Sequence, residues 1–457
     1  MSLGTTAAAT APTEAIDRRA LAAILLAVAL ATLDTAIANT ALPVIAADLH
    51  AAPAASIWII NAYQLAVVAT LLPFAALGDR VGPRRIFLGG LAMFVVASLA
   101  CALAPGLGWL TAARVLQGIG GGALMSVNIA LIRLIYPAAR LGRGVGLNAL
   151  VVGIAFAVGP SVASLLLAVA SWPWLFGVNV PLGLLAFAFA LPAVPRTPGP
   201  APGGRAFDGL TAALTALTFA ALILALGAAA QREPLARVLA PLGVTLGAGA
   251  LLLRRQAGDA APMLPVDLLR RPLFALSVLT ALAAFATQGL AFVALPFYFH
   301  DTLHRGPVDT GLLMTPWPIV VAAMAPIAGR LSDRHAPGLL GGIGLAVLSL
   351  GMAALALLPP APGVPGIVLR MAVCGAGFGF FQSPNLRALM SAAPPERSGG
   401  ASGMVGLARL TGQASGAAGV ALCFGLGGSA GPVWALGAGA VCAALAAAAS
   451  LARLWAD

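Results

Sequence analysis

Residues 33–43, LDTAIANTALP, set one carboxylate, Asp34, inside an apolar run that starts at Leu21 and continues past Ile45. A helix needs about 20 apolar residues to cross the hydrocarbon core of a bilayer, and this run is longer. Similar blocks recur along the 457-residue chain, of which 60% is hydrophobic and only 9% charged. A soluble core cannot enclose so much apolar side chain at so low a charge density. Helices, by contrast, satisfy their own backbone polar groups in lipid. The chain therefore reads as an all-α polytopic membrane protein.

Breaks at charges and at Pro/Gly clusters mark fourteen expected spans. The first eight lie near 20–44, 56–77, 86–104, 108–132, 144–169, 173–194, 207–229 and 236–253. The other six lie near 272–299, 310–329, 337–359, 364–389, 399–425 and 430–452. When alternate loops are assigned to opposite sides, nineteen arginines fall on the side of the N-terminus and three on the other. Basic residues mark the cytoplasmic side, so both termini are expected there.

The net charge of +11 does not point to nucleic acid, because the basic residues are scattered arginines in short loops rather than one stripe. The chain contains no lysine, which excludes a G-x-x-x-x-G-K-[ST] nucleotide loop in this polypeptide. The four cysteines stand singly in apolar blocks, and His50, His300, His304 and His335 lack companions. Neither a metal site nor a cofactor is expected. The first 17 residues are Ala/Thr-rich and weakly acidic, and no cleavable signal is expected.

The two ends of the chain echo each other at an offset near 254 residues. ALP at 41–43 returns at 294–296, ALGDR at 76–80 as RLSDR at 330–334, and RVLQGIGGGALMSVN from Arg114 as RMAVCGAGFGFFQSPN from Arg370. Three markers in one order indicate two six-helix bundles related by an axis along the membrane normal, with a central cavity between them. The expected division is a tail 1–19, a bundle 20–194, a linker 195–206, an inserted helix pair 207–253, a linker 254–271, a second bundle 272–452 and a tail 453–457. The counterpart of Asp34 in the second bundle is Thr287, beside Gln288.

Asp34 lies about 14 residues into its span, near mid-bilayer at a rise of about 1.5 Å per residue. A charge at that depth is costly unless it faces a cavity, finds a partner or takes a proton, and such residues usually serve function. A site that alternates between surroundings can load and unload a proton there; the alternative is a structural aspartate bonded to a neighbouring span. Arg114 and Gln117 share a helical face with Gly118 and Gly121. Arg114 is the expected partner of Asp34 in proton coupling, unless it snorkels to the headgroups. Asn39, Gln117, Gln288, Gln382 and Asn385 are the polar residues expected at the substrate cavity.

The loop GDRVGPRR, 78–85, holds Asp79, Arg80 and Arg84, and the pair Asp333–Arg334 repeats it. It reads either as an ordinary cytoplasmic turn or as a latch that bonds across the halves and breaks on opening. Gly159-Pro160 in the fifth span allows close packing and a kink at a gating position.

Taken together these stretches resemble the major facilitator superfamily, and specifically its fourteen-span drug:proton antiporter branch. LDTAIANTALP is similar to that branch's first-span signature, and ALGDRVGPRR to the superfamily's loop signature. Arg114-Gln117-Gly118 resembles the fourth-span signature, and Gly153 to Pro160 the antiporter pattern. WPWLFGVNVPLG, 172–183, resembles a Trp-x-Phe-x-x-Asn-x-Pro-x-Gly run of the branch. Ala75 and Pro83 depart from the loop signature, and Ala163-Ser164 replace a glycine pair after Gly159-Pro160.

The resemblance implies a monomeric, proton-coupled, multidrug-type efflux antiporter rather than an enzyme. Its partners would be protons, the lipid bilayer and small lipophilic or amphipathic substrates, neutral or monocationic. Relatives that export divalent organic cations carry further membrane carboxylates, and this chain has none. Export of one endogenous metabolite, proton-coupled import and membrane-embedded catalysis are the alternatives. The last needs paired acids or a metal cluster in one cavity, which the sequence lacks.

Overall fold

In the computed structural model, residues 17–137, 140–196, 208–230, 233–257, 266–359, 361–394 and 397–455 are described. The expected N-terminal tail up to residue 16, linker residues 197–206, residues 258–265 of the second linker and the last two residues lie outside them. The described residues are helical almost throughout.

The first half comprises α1 (Arg18–Asp48), α2 (Pro53–Val81), α3 (Pro83–Ala102), α4 (Leu107–Ile135), α5 (Leu141–Val169) and α6 (Pro173–Ala193). Then come α7 (Gly209–Ala230) and α8 (Leu235–Gln256). The second half comprises α9 (Pro272–Phe297), α10 (Pro307–Leu331), α11 (Pro337–Ala356), α12 (Val364–Ser391), α13 (Ser398–Gly427) and α14 (Gly431–Ala452). Helices α2, α6 and α10 break briefly at Ile57, Val178 and Thr315.

Thirteen stretches among the described residues are long and apolar enough to cross a membrane. The last of these, Gly403–Trp455, is 53 residues long and holds most of α13 and all of α14. The two helices meet at Gly428, whose φ of +54° is a conformation open chiefly to glycine.

Local chemistry sets the helix ends. The Asp17 carboxylate accepts the backbone N–H groups of Arg19 (2.9 Å) and Ala20 (3.1 Å), an N-cap that starts α1. Prolines open α3, α9, α11 and α14, where a missing N–H costs nothing and the fixed φ suits the first turn. Apolar residues such as Leu165, Leu350 and Leu369 stay exposed on the outer surface, as lipid-facing positions require.

The sequence repeat is a repeat of packing. Helix α4 lies against α2 and α3 as α12 lies against α10 and α11. Likewise α1 packs on α5 and α6 as α9 packs on α13 and α14. The glycines of the repeated stretch do the same work in both halves. A Cβ at Gly118 would collide with the Tyr63 carbonyl of α2, and one at Gly375 with the Trp317 carbonyl of α10. The halves meet along three seams: α1 on α9, α2 on α13 and α5 on α10.

The seam of α5 and α10 is tight at the end of the molecule away from the chain termini. Gly311 sits against the Pro160 carbonyl and the Ser164 hydroxyl, and Ser161 and Thr315 share a hydrogen bond of 2.8 Å. There too Ile37, Ala41, Leu42 and Ile45 of α1 pack with Val293, Ala294 and Phe297 of α9 in one buried apolar cluster. The inserted pair is not wholly peripheral. Helix α7 packs on both α2 and α13, with Gly227 under the Trp58 ring, while α8 packs mainly on α7. Arg255 near the end of α8 bonds Asp208 at the start of α7 (3.0 and 3.2 Å). That bond, with those from Thr211, holds the Asp208 carboxyl well below the usual carboxylate range.

Candidate functional site

Asp34 is 1% exposed and Arg114 0%. The two form a buried ion pair between α1 and α4, Arg114 Nη1 donating to Asp34 Oδ2. Gln117, one turn after Arg114, donates to Asp34 Oδ1 at 2.9 Å. A third donor comes from α6, where Asn179 Nδ2 reaches Asp34 Oδ1 at 2.8 Å. Gln117 Nε2 also lies 2.9 Å from the Ser98 hydroxyl of α3, and Gln117 Oε1 accepts from Arg114 at 2.6 Å. Every partner of the carboxylate is a donor, so the cage suits an acceptor-only, ionised group.

Arg114 is held by its Nε, its Nη1 and the two faces of its guanidinium. Its Nε donates to the Ile59 carbonyl of α2 (3.1 Å), and its guanidinium lies 4.2 Å from the Tyr63 ring centroid and 5.5 Å from that of Phe176. Two aromatic faces and one carboxylate surround the cation. Its Nη2, buried, has no protein acceptor. The snorkelling alternative for Arg114 does not describe this arrangement.

A narrow pocket lies beside the cage, between the halves. Thr35 and Asn39 of α1, Gln64 of α2 and Phe156 of α5 face Gln288, Phe292 and Gln413 of the second half. Gln413 Nε2 donates to Gln288 Oε1 at 2.8 Å. Thr35 follows Asp34 directly, so one helical turn carries both the carboxylate and the pocket wall. The ALP triplets carry Thr35 onto Gln288 and Asn39 onto Phe292, so equivalent positions of the repeat face each other across the pocket.

Asp34, Arg114 and Gln117 thus come together, and Asn39 and Gln288 come together in the adjoining pocket. Two other expected cavity residues lie elsewhere. Asn385 is buried near the terminal end of the second half, accepting from Arg453 (2.8 Å) and donating to the Ser277 carbonyl (3.3 Å). Gln382 is exposed on α12.

The gating residues divide similarly. Arg84 donates to the Leu191 carbonyl of α6 (2.5 Å), within its own half, and Asp79 and Arg80 are exposed. Asp333 pairs with Arg387 of its own half, and Arg334 is exposed. Among the described residues neither acid bonds across the halves. Gly159, by contrast, packs directly on Ala36, two residues from Asp34, and Pro160 packs on Gly311 at the seam.

Asn179 and Phe176 were absent from the expected site, although both stand in the quoted Trp-x-Phe-x-x-Asn run. Their spacing of three puts them on one helical face, and that was the available signal.

A model of the Major Facilitator Superfamily matches residues 24–432. The uncharacterized transporter YebQ of Escherichia coli (strain K12) is 51% identical over 435 residues, covering 95% of each chain. The riboflavin transporter RibZ of Clostridioides difficile (strain 630) is 29% identical, covering 82% of this chain and 81% of its own. The multidrug efflux pump LfrA of Mycolicibacterium smegmatis is 31% identical, covering 84% of this chain and 76% of its own.

Proposed function

This chain belongs to the Major Facilitator Superfamily, and from that premise we propose that it is a proton-coupled efflux antiporter for lipophilic or amphipathic small molecules, working by alternating access. The proposed topology is fourteen spans, counting α13 and α14 separately, with both termini cytoplasmic in a bacterial inner membrane. The observation that carries the reading is the Asp34 cage: one buried carboxylate whose three partners all donate. Efflux as the direction is supported by the likeness to LfrA.

Protonation turns a carboxylate oxygen from acceptor to donor and so breaks at least one contact of the cage. The α1–α4–α6 cluster then loosens at Asp34. Through Ala36 on Gly159 and Pro160 on Gly311 the change reaches the seam that closes the end away from the termini. Outward-facing, Asp34 takes a proton; inward-facing, the donors of Arg114, Gln117 and Asn179 draw it back to the ionised form and release the proton to the cytoplasm. The membrane potential contributes about 2.3 kcal/mol per charge per 100 mV, roughly a fiftyfold gradient for each charge moved.

The test is proton release from detergent-purified protein on addition of a compound panel that includes riboflavin, comparing wild type with Asp34→Asn. Substrate-triggered release that disappears in the variant, with binding retained, is the expected result. Undiminished release in the variant would remove Asp34 from the proton path.

A further inference from the structure

A second arginine, Arg409, lies one helical turn from the pocket between the halves. It precedes Gln413, a lining residue, by four positions on α13, so the two side chains share one face of that helix. It is partly buried, and its neighbours Leu407 and Leu410 pack in one buried cluster with Tyr63, the ring stacked on Arg114. The carboxylate of the adjoining cage, Asp34, is already taken by Arg114, Gln117 and Asn179. Among the described residues no acid pairs with Arg409. The other groups around the pocket are neutral: Thr35, Asn39, Gln64, Gln288 and Gln413. Asn39 and Gln64 each keep a buried amide oxygen without a donor, acceptors for a hydroxyl or N–H elsewhere on a cargo rather than for its acidic group.

Charge balance then decides what the pocket accepts. Asp34 and Arg114 cancel, and Arg409, partly buried beside the pocket, is a guanidinium with no acid paired to it among the described residues. A cationic cargo would meet like charge there, whereas an acidic group would gain a charge-assisted, potentially bidentate bond. We propose that Arg409 anchors an anionic group of the substrate, so that the cargo is an amphipathic organic acid: a carboxylate or sulfonate on an apolar body. This rests on the reading of the chain as a carrier of amphipathic small molecules, and it reverses the neutral or monocationic charge expected from sequence.

The test is calorimetric titration of the purified full chain with a matched series: 1-naphthoate, 1-naphthamide and 1-naphthylmethylammonium. Wild type is expected to bind the acid at least about tenfold tighter than the amide or the ammonium. Arg409→Gln is expected to bring acid and amide within about twofold, and to melt no lower than wild type, because no buried partner is left uncompensated. If Arg409→Gln fails to fold, Arg409→Lys decides: a retained preference for the acid supports the anchor, and a lost one overturns it.

Tightest binding of the ammonium, an acid preference that survives Arg409→Gln, or no binding of any member would each overturn it. Acid-selective binding through Arg409 without proton release would leave the anchor standing and break the antiport reading. Proton release triggered only by ammonium compounds would do the reverse.

Discussion

Asp34 and Thr287 occupy corresponding places in two halves that pack alike, yet their surroundings share almost nothing. Asp34 binds an arginine and two amides from α4 and α6. Thr287 bonds the Ala283 carbonyl of its own helix (3.1 Å) and the Gly439 carbonyl of α14 (3.2 Å). Among the described residues Arg370, which answers to Arg114, donates to the Ala354 and Gly366 carbonyls and to no acid. The halves keep the same glycine contacts and differ in where charge is buried. Backbone packing in a membrane helix pair needs small residues and tolerates any neutral filling around them. A buried ion pair is different: neither partner is stable without the other. The first half buries a carboxylate with its cation, and the second half fills the corresponding place with a neutral hydroxyl.

The largest expected difference follows from that asymmetry. Arg114→Gln leaves Asp34 buried without its cation and should cost about 3–5 kcal/mol. Arg370→Gln removes bonds to two carbonyls and should cost about 1–2 kcal/mol. Thermal melting of both variants in one detergent checks the ranking, and equal losses would break the comparison. Combining Asp34→Asn with Arg114→Gln should recover most of the lost stability while substrate-triggered proton release stays absent.

Next in size is the seam between the halves. Gly311→Val forces side-chain atoms into the Pro160 carbonyl and should disfavour this closed arrangement by about 1–3 kcal/mol. A disulfide engineered at Ser161 and Thr315, now hydrogen-bonded at 2.8 Å, should form readily in the parent and at least about fivefold more slowly with Gly311→Val. Unchanged cross-linking would detach Gly159-Pro160 from gating.

Asn385→Ala takes an acceptor from Arg453, a buried cation of the second half held by Ser277, Asn385 and Ser450. A stability loss of about 1–2 kcal/mol is expected, with proton release per transported substrate unchanged. Altered coupling would move Asn385 back among the transport residues.

The smallest effect is reserved for Asp333→Asn. Its pair with Arg387 is 69% and 47% exposed, so melting should shift by less than about 1 kcal/mol and the difference should shrink with added salt. A large change in transport despite that exposure would restore the latch reading of Asp333 and Arg334.

Much of the site was legible because burial of charge in lipid is so costly that a lone carboxylate announces itself. Asp34 stood out against a chain that is 9% charged, and Arg114 and Gln117 followed from helical spacing. Asn179 did not, because an asparagine inside an aromatic-rich run looks the same whether it faces lipid, a neighbour or a carboxylate. Asn385 and Gln382 went astray for a related reason. Spacing along α12 assigns a face, but which face meets the cavity depends on how α12 leans on α10 and α11.

Hydrophobic length, the arginine distribution and the internal repeat by themselves determined that this is a helical membrane protein with two related halves. These properties are carried by each segment separately and need no partner to be read. Only the tertiary structure decided that Asn179 completes the Asp34 cage, that α7 leans on both halves and that Gln413 meets Gln288 across the pocket. Each of those depends on the relative placement of helices far apart in the chain, and partnership between side chains exists only once the helices have met.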